Sequence, residues 1–229
     1  MLRLIKNHIR RRRLAKAGVA VEIACPTAVY GSGEGSWAVC PEGITPASVV
    51  YSFGIGRDLS FDLDMVGRHG VAVHAFDPTP VAVQWAREQV LPDSLHVHEY
   101  GLAGTDGEIE FYAPRKATSA HFTPVKRYRH ETGEKITAPV KSLPTIMAEL
   151  GHARVDVLKM DIEGGEYGVV ESIVRHGIPI GQLLVEFHHC YKTIPMARTV
   201  EAVNRLRGIG FKVFSISERT YEISLILAD

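Results

Sequence analysis

Apolar runs of strand length alternate with helical patterns along most of this chain, and that alternation restricts it to α/β architectures. Strand candidates fall at 48–53, 71–76, 95–99, 155–160 and 182–187, with helical stretches near 59–68, 80–90, 142–150 and 166–176 between them. Apolar strands joined by helical crossovers predict a parallel sheet covered on both faces. Helix ends are marked locally: Thr79 before Pro80 predicts a cap and a first-turn proline, and the stripe Leu143, Ile146, Met147, Leu150 is closed by Gly151. After a helix at 198–207, strands at 211–216 and 222–227 are separated by five residues. A link that short fits a hairpin and cannot hold a parallel crossover, so the last strand is expected to run antiparallel.

At 229 residues and 45% hydrophobic content, the chain suits one domain with a substantial core. No apolar run approaches bilayer-spanning length, so a soluble, non-secreted, cytoplasmic protein is the expectation. Cys25, Cys40 and Cys190 are too widely spaced for a disulfide framework or a zinc pattern and read as free thiols. The net charge of zero hides an asymmetry. Residues 1–20 hold Arg3, Lys6, Arg10, Arg11, Arg12, Arg13 and Lys16 and no acid. Residues 1–30 therefore read as a basic helical extension of a domain at 31–229. The extension is expected to be solvated, partly frayed and dispensable for folding through residue 16. A membrane surface is its candidate contact, an organellar presequence is an alternative, and nucleic acid is disfavoured.

The run from Val155 to Val170, VDVLKMDIEGGEYGVV, ends an apolar strand in carboxylates and two glycines. In an open α/β sheet ligands bind beyond the carboxyl ends of the strands, which is where Asp161 and Glu163 fall. Strand alternation predicts Lys159, Asp161 and Glu163 on one side and Leu158, Met160 and Ile162 in the packing. Gly164-Gly165 permits a reversal into the next helix. At the first strand, Phe53-Gly54-Ile55-Gly56 supplies a tight turn. A third dinucleotide-type glycine would stand at Leu59, and its lack tells against a pyrophosphate-binding turn. Asp77 ends the second strand and could accept bonds from ribose hydroxyls; the alternative is an Asp turn before Pro78.

These residues carry a resemblance. The 155–170 run, the Val49–Asp62 segment VVYSFGIGRDLSFD, the His74–Pro78 segment HAFDP and the segment 31–40 resemble the FkbM-like and methyltransferase-like branches of the class I S-adenosylmethionine-dependent methyltransferases. The resemblance covers about residues 31–190, although the acid that commonly opens the first motif is replaced by Tyr51. It implies a single-domain Rossmann-like α/β fold with a seven-stranded, mostly parallel sheet, an antiparallel C-terminal strand and helices on both faces. It also implies S-adenosylmethionine as cofactor, with contacts at Ser52, Gly54, Gly56, Asp58, Asp77, Pro78, Gly101, Leu102 and Asp161.

In methyltransferase order strands four and five are neighbours, which brings Asp161 and Glu163 toward Glu186 and His188. Two or three carboxylates plus an imidazole could hold a divalent metal (magnesium, manganese or zinc) through Asp161, Glu186 and His188. The metal-free alternative uses His188 or His189 as base beside Glu186, with Asp161 positioning the methionine part of the cofactor. A third reading makes Lys159 a structural ion pair with Asp161 or Glu186. Residues 101–141 read as an irregular stretch with an edge strand at 108–112 and a basic, aromatic segment containing Arg115, Lys116, His121, Phe122, Lys126, Arg127, Tyr128, Arg129 and Lys135. It is the candidate lid for an anionic or sugar-like substrate. The expected activity is O-methylation of a hydroxyl on a sugar-like or other small metabolite. The alternative is a Rossmann-like oxidoreductase or a non-catalytic binding module.

Overall fold

The computed structural model describes residues 2–115, 119–126 and 131–228. Lys116, Arg127, Tyr128 and Arg129 of the basic segment lie outside these described residues. Helix α1 (Leu2–Lys16) precedes a short hairpin, β1 (Ala28–Tyr30) and β2 (Trp37–Val39). The alternating core follows as β3 (Val50–Phe53), α2 (Ser60–His69), β4 (Val73–Phe76), α3 (Pro80–Arg87) and β5 (Leu95–His98). An insertion holds β6 (Gly101–Leu102), β7 (Gly107–Pro114) and β8 (Glu131–Lys141). The chain finishes with α4 (Leu143–Leu150), β9 (Val155–Met160), α5 (Glu166–His176), β10 (Ile180–Glu186), α6 (Met196–Arg207), β11 (Phe211–Ile216) and β12 (Glu222–Leu227).

Seven strands form one sheet in the order β11-β12-β10-β9-β3-β4-β5. β3, β4, β5, β9 and β10 pair in parallel, and β12 lies antiparallel between β10 and β11. The antiparallel strand read from the five-residue link is in place. Neighbouring strand residues feed opposite faces: Leu158 packs with Leu143, Val170 and Val203 from α4, α5 and α6, while Val157 packs with Met65 and Ala86 from α2 and α3. Burial on both sides is why these strands are apolar throughout. Among the described residues no helix is long and apolar enough to cross a membrane.

Three expectations are corrected. The β1–β2 hairpin, absent from the periodicity reading, lies over one sheet face. There Gln182 accepts from the Cys40 N–H at 2.9 Å and donates to its carbonyl at 2.7 Å, and the Ser224 hydroxyl donates to the Ala38 carbonyl. Three-residue strands are too short to show a period of two. The described residues of 101–141 are more regular than expected: β6, β8 and β7 form a second sheet in that order, around Phe111, Ala138 and Val140, and β7 contains the expected edge strand at 108–112. The polar composition of β8, with Gly133 and Pro139, masks it as a strand. Helix α1 is not merely solvated, because Leu14 is 1% exposed and joins the main core with Val19.

Candidate active site

A cavity of about 840 Å³ opens where the carboxyl ends of β3, β4 and β9 meet the insertion. Its floor is the turn after β3. Gly54 adopts φ +77, a region that disfavours side chains, and its N–H donates to the Phe76 carbonyl at 2.9 Å. Lys159, buried within β9, donates from Nζ to the carbonyls of Gly54 (2.9 Å) and Phe53 (3.3 Å) and lies 5.5 Å from the centre of the Trp37 ring. The expected ion pair of Lys159 with Asp161 or Glu186 is absent among the described residues. Its ammonium stands near buried Asp62, whose pKa is raised by burial against the lowering effect of Lys159 and Ser52.

Asp77 forms the expected turn at Pro78 and also reaches the glycine turn after β3. Oδ1 accepts from the Thr79 N–H (2.9 Å) and hydroxyl (2.6 Å), and Oδ2 accepts from the Gly56 N–H at 2.9 Å. The carboxylate thus clamps the glycine turn to the start of α3, and burial raises its pKa against these bonds. Thr79 spends its hydroxyl on Asp77 and makes no side-chain cap bond to α3, contrary to the simple capping reading. Gly54, Gly56, Asp58, Asp77, Pro78, Gly101, Leu102 and Asp161 all line the cavity. Ser52 does not: the pleat turns it to the α2 face, fully buried beside Asp62, so the expected cofactor contact at Ser52 is withdrawn.

Beyond β9 the strand reading fails for one residue. β9 ends at Met160, and Glu163 sits in a left-handed turn at φ 56 rather than on a continuing strand. Such strain in a non-glycine residue is held by its surroundings. The Glu163 carboxylate takes the Tyr191 hydroxyl and lies 2.7 Å from His121 Nδ1, while the Thr123 hydroxyl donates to the Glu163 carbonyl at 2.6 Å. Thr123 also bridges to Tyr112 of β7, so Glu163 fastens the 119–126 segment over the cavity.

Parallel pairing of β9 and β10 brings Asp161, Glu186 and His188 together, their donor atoms within 4.8 Å of one another. His188 Nε2 lies 3.6 Å from Asp161 Oδ1 and 3.5 Å from Glu163 Oε2, and Nδ1 lies 2.8 Å from Glu166 Oε1. Glu166, fully buried, also accepts the N–H groups of Ile162 and Gly164. Its part in organising the turn was not legible, since the sequence shows it only as the first residue of a helix. Burial alone would depress the His188 pKa, but Glu166, Asp161 and Glu163 override this and hold it well above the usual imidazole value. Asp161 is pushed up to about 6 by burial, with His188 opposing and Glu163 adding. Glu186 is pushed up to about 8 by burial and Asp161, although Arg219 reaches it at 3.3 Å. Asp161 and Glu163 border the cavity, whereas His188 and Glu186 lie behind them. His189 turns away, 3.2 Å from the Thr199 hydroxyl, with its pKa lowered to about 4 by burial and His188, and it is withdrawn as a candidate base.

The antiparallel strand within a Rossmann-like sheet and the glycine-floored cavity at its carboxyl edge define the class I methyltransferase type of α/β domain. The chain belongs to the family described as Methyltransferase FkbM domain, which matches residues 53–214. It is similar to the probable methyltransferase-like protein 24 of Homo sapiens and of Rattus norvegicus, with 29% identity over 142 residues in each case, 61% of this chain and 32% of the relative. The chain thus spans about a third of the length of these curated relatives. Similarity to the 31-O-demethyl-FK506 methyltransferase FkbM of Streptomyces tacrolimicus is 26% over 200 residues, covering 74% of this chain and 75% of that protein. Among solved structures, the Methanococcus jannaschii fibrillarin pre-rRNA processing protein aligns with a TM-score of 0.47 at 11% identity, over 92% of this chain and 86% of that one.

Proposed function

We propose that this chain is an S-adenosylmethionine-dependent methyltransferase acting on a hydroxyl of a sugar-like or other small metabolite, with Asp161 as the group that accepts the hydroxyl proton. The observation that carries this reading is the position of Asp161. It is the member of the Asp161–Glu186–His188 cluster that borders the cavity. The name of the Streptomyces relative, an O-methyltransferase, supports oxygen as the acceptor atom.

The residues present fit the cofactor. Asp77 retains acceptor capacity on Oδ2 for a ribose hydroxyl, Gly101 and Leu102 are the candidates for the adenine side, and Lys159 with Asp62 offers opposite charges for an amino-acid end. When bound, S-adenosylmethionine supplies a methyl group on a positively charged sulfur. A neutral hydroxyl is a poor nucleophile, so the chain must hold its oxygen in line and take its proton. Asp161 takes that proton as the oxygen–methyl bond forms. A carboxyl group with a pKa of about 6 exchanges protons near neutrality. His188, held cationic behind it, opposes protonation of Asp161 before the acceptor arrives.

The excess of carboxylates favours a second version of the same site. Asp161, Glu186 and His188 form a donor set that fits magnesium, manganese or zinc, and such an ion would lower the pKa of a hydroxyl placed beside it. The test is methyl transfer from labelled S-adenosylmethionine to a panel of hydroxylated small molecules. Asp161→Asn is expected to lower turnover by about 10²–10⁴-fold while the protein still binds the cofactor by calorimetry. Full turnover in Asp161→Asn, or no binding of the cofactor by the wild type, overturns the reading. Loss of activity on chelation, restored by manganese or magnesium, selects the metal version.

A further inference from the structure

Helix α1 has two unlike sides. Residues seven apart on a helix fall within about 20° of the same direction. Asn7 and Leu14, so related, are the two buried side chains described on α1, and Leu14 enters the main core. Arg10 lies over the Tyr221 ring at 5.2 Å, and beyond the helix Glu22 pairs with Arg207 at 3.0 Å and accepts from the Val213 N–H at 2.9 Å. These contacts fix which side of α1 faces the domain. Ile5, Ile9, Arg12 and Lys16 fall within an arc of about 60° on the opposite side. All four are exposed, Ile5 at 51% and Ile9 at 45%.

A helix face that served only solubility would carry no pair of β-branched apolar side chains at its centre. This one sets two isoleucines among cations, with Arg13 at its margin, and residues 1–20 hold no acid to neutralise them. The remainder of the chain is net acidic. An anionic surface would therefore attract this face and repel the body, which orients the domain as well as holding it.

We propose that the outward face of α1 docks on an anionic phospholipid membrane, with Ile5 and Ile9 entering the boundary between headgroups and acyl chains and Arg12, Arg13 and Lys16 meeting the lipid phosphates. Both features of the face are used by that occupant. Cationic side chains near an anionic leaflet gain from its surface potential, and apolar side chains of an in-plane helix gain from the interface beneath. A nucleic acid would satisfy only the cations, since isoleucine neither stacks on bases nor bonds to phosphate.

The full chain should be sedimented with vesicles of phosphatidylcholine alone and of phosphatidylcholine with about 30% phosphatidylserine. Partition into the anionic vesicles is expected to exceed that into neutral ones by at least about tenfold and to vanish near about 0.5 M salt. The double variants I5D/I9D and R12E/K16E, all at exposed positions, are each expected to lower partition by about tenfold or more with no change in melting temperature. Equal partition into both vesicle types, or wild-type binding by both double variants, overturns the proposal. Retention on duplex DNA without vesicle binding does so too. The salt series on the wild type decides the electrostatic half without reference to any variant.

Discussion

The backbone carbonyl of Asp161 occupies the space where a side chain on residue 54 would begin: an ideal Cβ on Gly54 falls 1.6 Å from that oxygen. The two ends of the site, the turn after β3 and the turn after β9, are therefore in contact through a position only glycine can fill. Gly54→Ala must displace the Asp161 backbone as well as hold alanine at φ +77. The expected cost is about 3 kcal/mol or more, a drop in melting temperature of roughly 6–12 °C, together with loss of cofactor binding. Scanning calorimetry checks the first and titration calorimetry the second; an unaltered melting temperature would contradict the packing described.

Asp77→Ala removes the proposed ribose acceptor together with the clamp between Gly56 and Thr79. Affinity for S-adenosylmethionine should fall about ten- to a hundredfold, and stability should fall with it, because three donors lose their partner. Asp77→Asn retains an acceptor and is expected to lose less stability than affinity. Calorimetric titration and thermal melts on the two variants separate the contributions.

Glu163 ties the 119–126 segment to the turn after β9. Glu163→Gln removes the charge facing His121, and Thr123→Val removes the hydroxyl that reaches the Glu163 carbonyl. Each should speed amide exchange in residues 119–126 by about tenfold, with little effect on the strands of the main sheet. Hydrogen exchange read by mass spectrometry tests this, and uniform exchange across the chain would show that the segment is not fastened there.

On the α4 face of the sheet, His74 Nδ1 lies 3.0 Å from His98 Nε2, and the His96 and His152 rings stand 5.0 and 5.2 Å from the His74 ring. Burial, then His98 and the other two, lower the His74 pKa to about 4. Between about pH 6.5 and pH 4 the unfolded chain binds a proton here that the folded chain refuses, so this stabilisation is lost as pH falls through that window. Asp161 and Glu186, raised in the fold, act with the opposite sign. The difference between wild type and His74→Phe isolates the histidine: the variant should lose less melting temperature between pH 7 and pH 4. Parallel pH profiles would refute it.

Burial of Leu14 reverses the expectation that residues 1–16 can be removed without cost. Leu14→Ala should destabilise by about 2–4 kcal/mol, and truncation before Ala17 by at least as much. Chemical denaturation of both proteins is the check, and an unchanged midpoint would mean that α1 contributes no packing.

The alternation of apolar runs determined the five parallel strands of the main sheet, because a strand buried on both faces must be apolar throughout and the helices between must carry a stripe. The five residues before β12 determined its direction, and the Asp161–Glu163 and Glu186–His188 pairs at strand ends determined which groups could meet. Local pattern could not show the β1–β2 hairpin or β8, whose stability comes from long-range partners: Gln182 for the hairpin, β6 and β7 for β8. Nor could it decide which side chains face the cavity. Ser52 turns away from the cavity beside Asp62, whereas Lys159, its partner across β3 and β9, lines it, and a left-handed turn carries Glu163 to the 119–126 segment. The pKa order within the cluster was decided by the tertiary fold alone, because it depends on how deeply each group is buried and on which charges, distant in sequence, stand beside it.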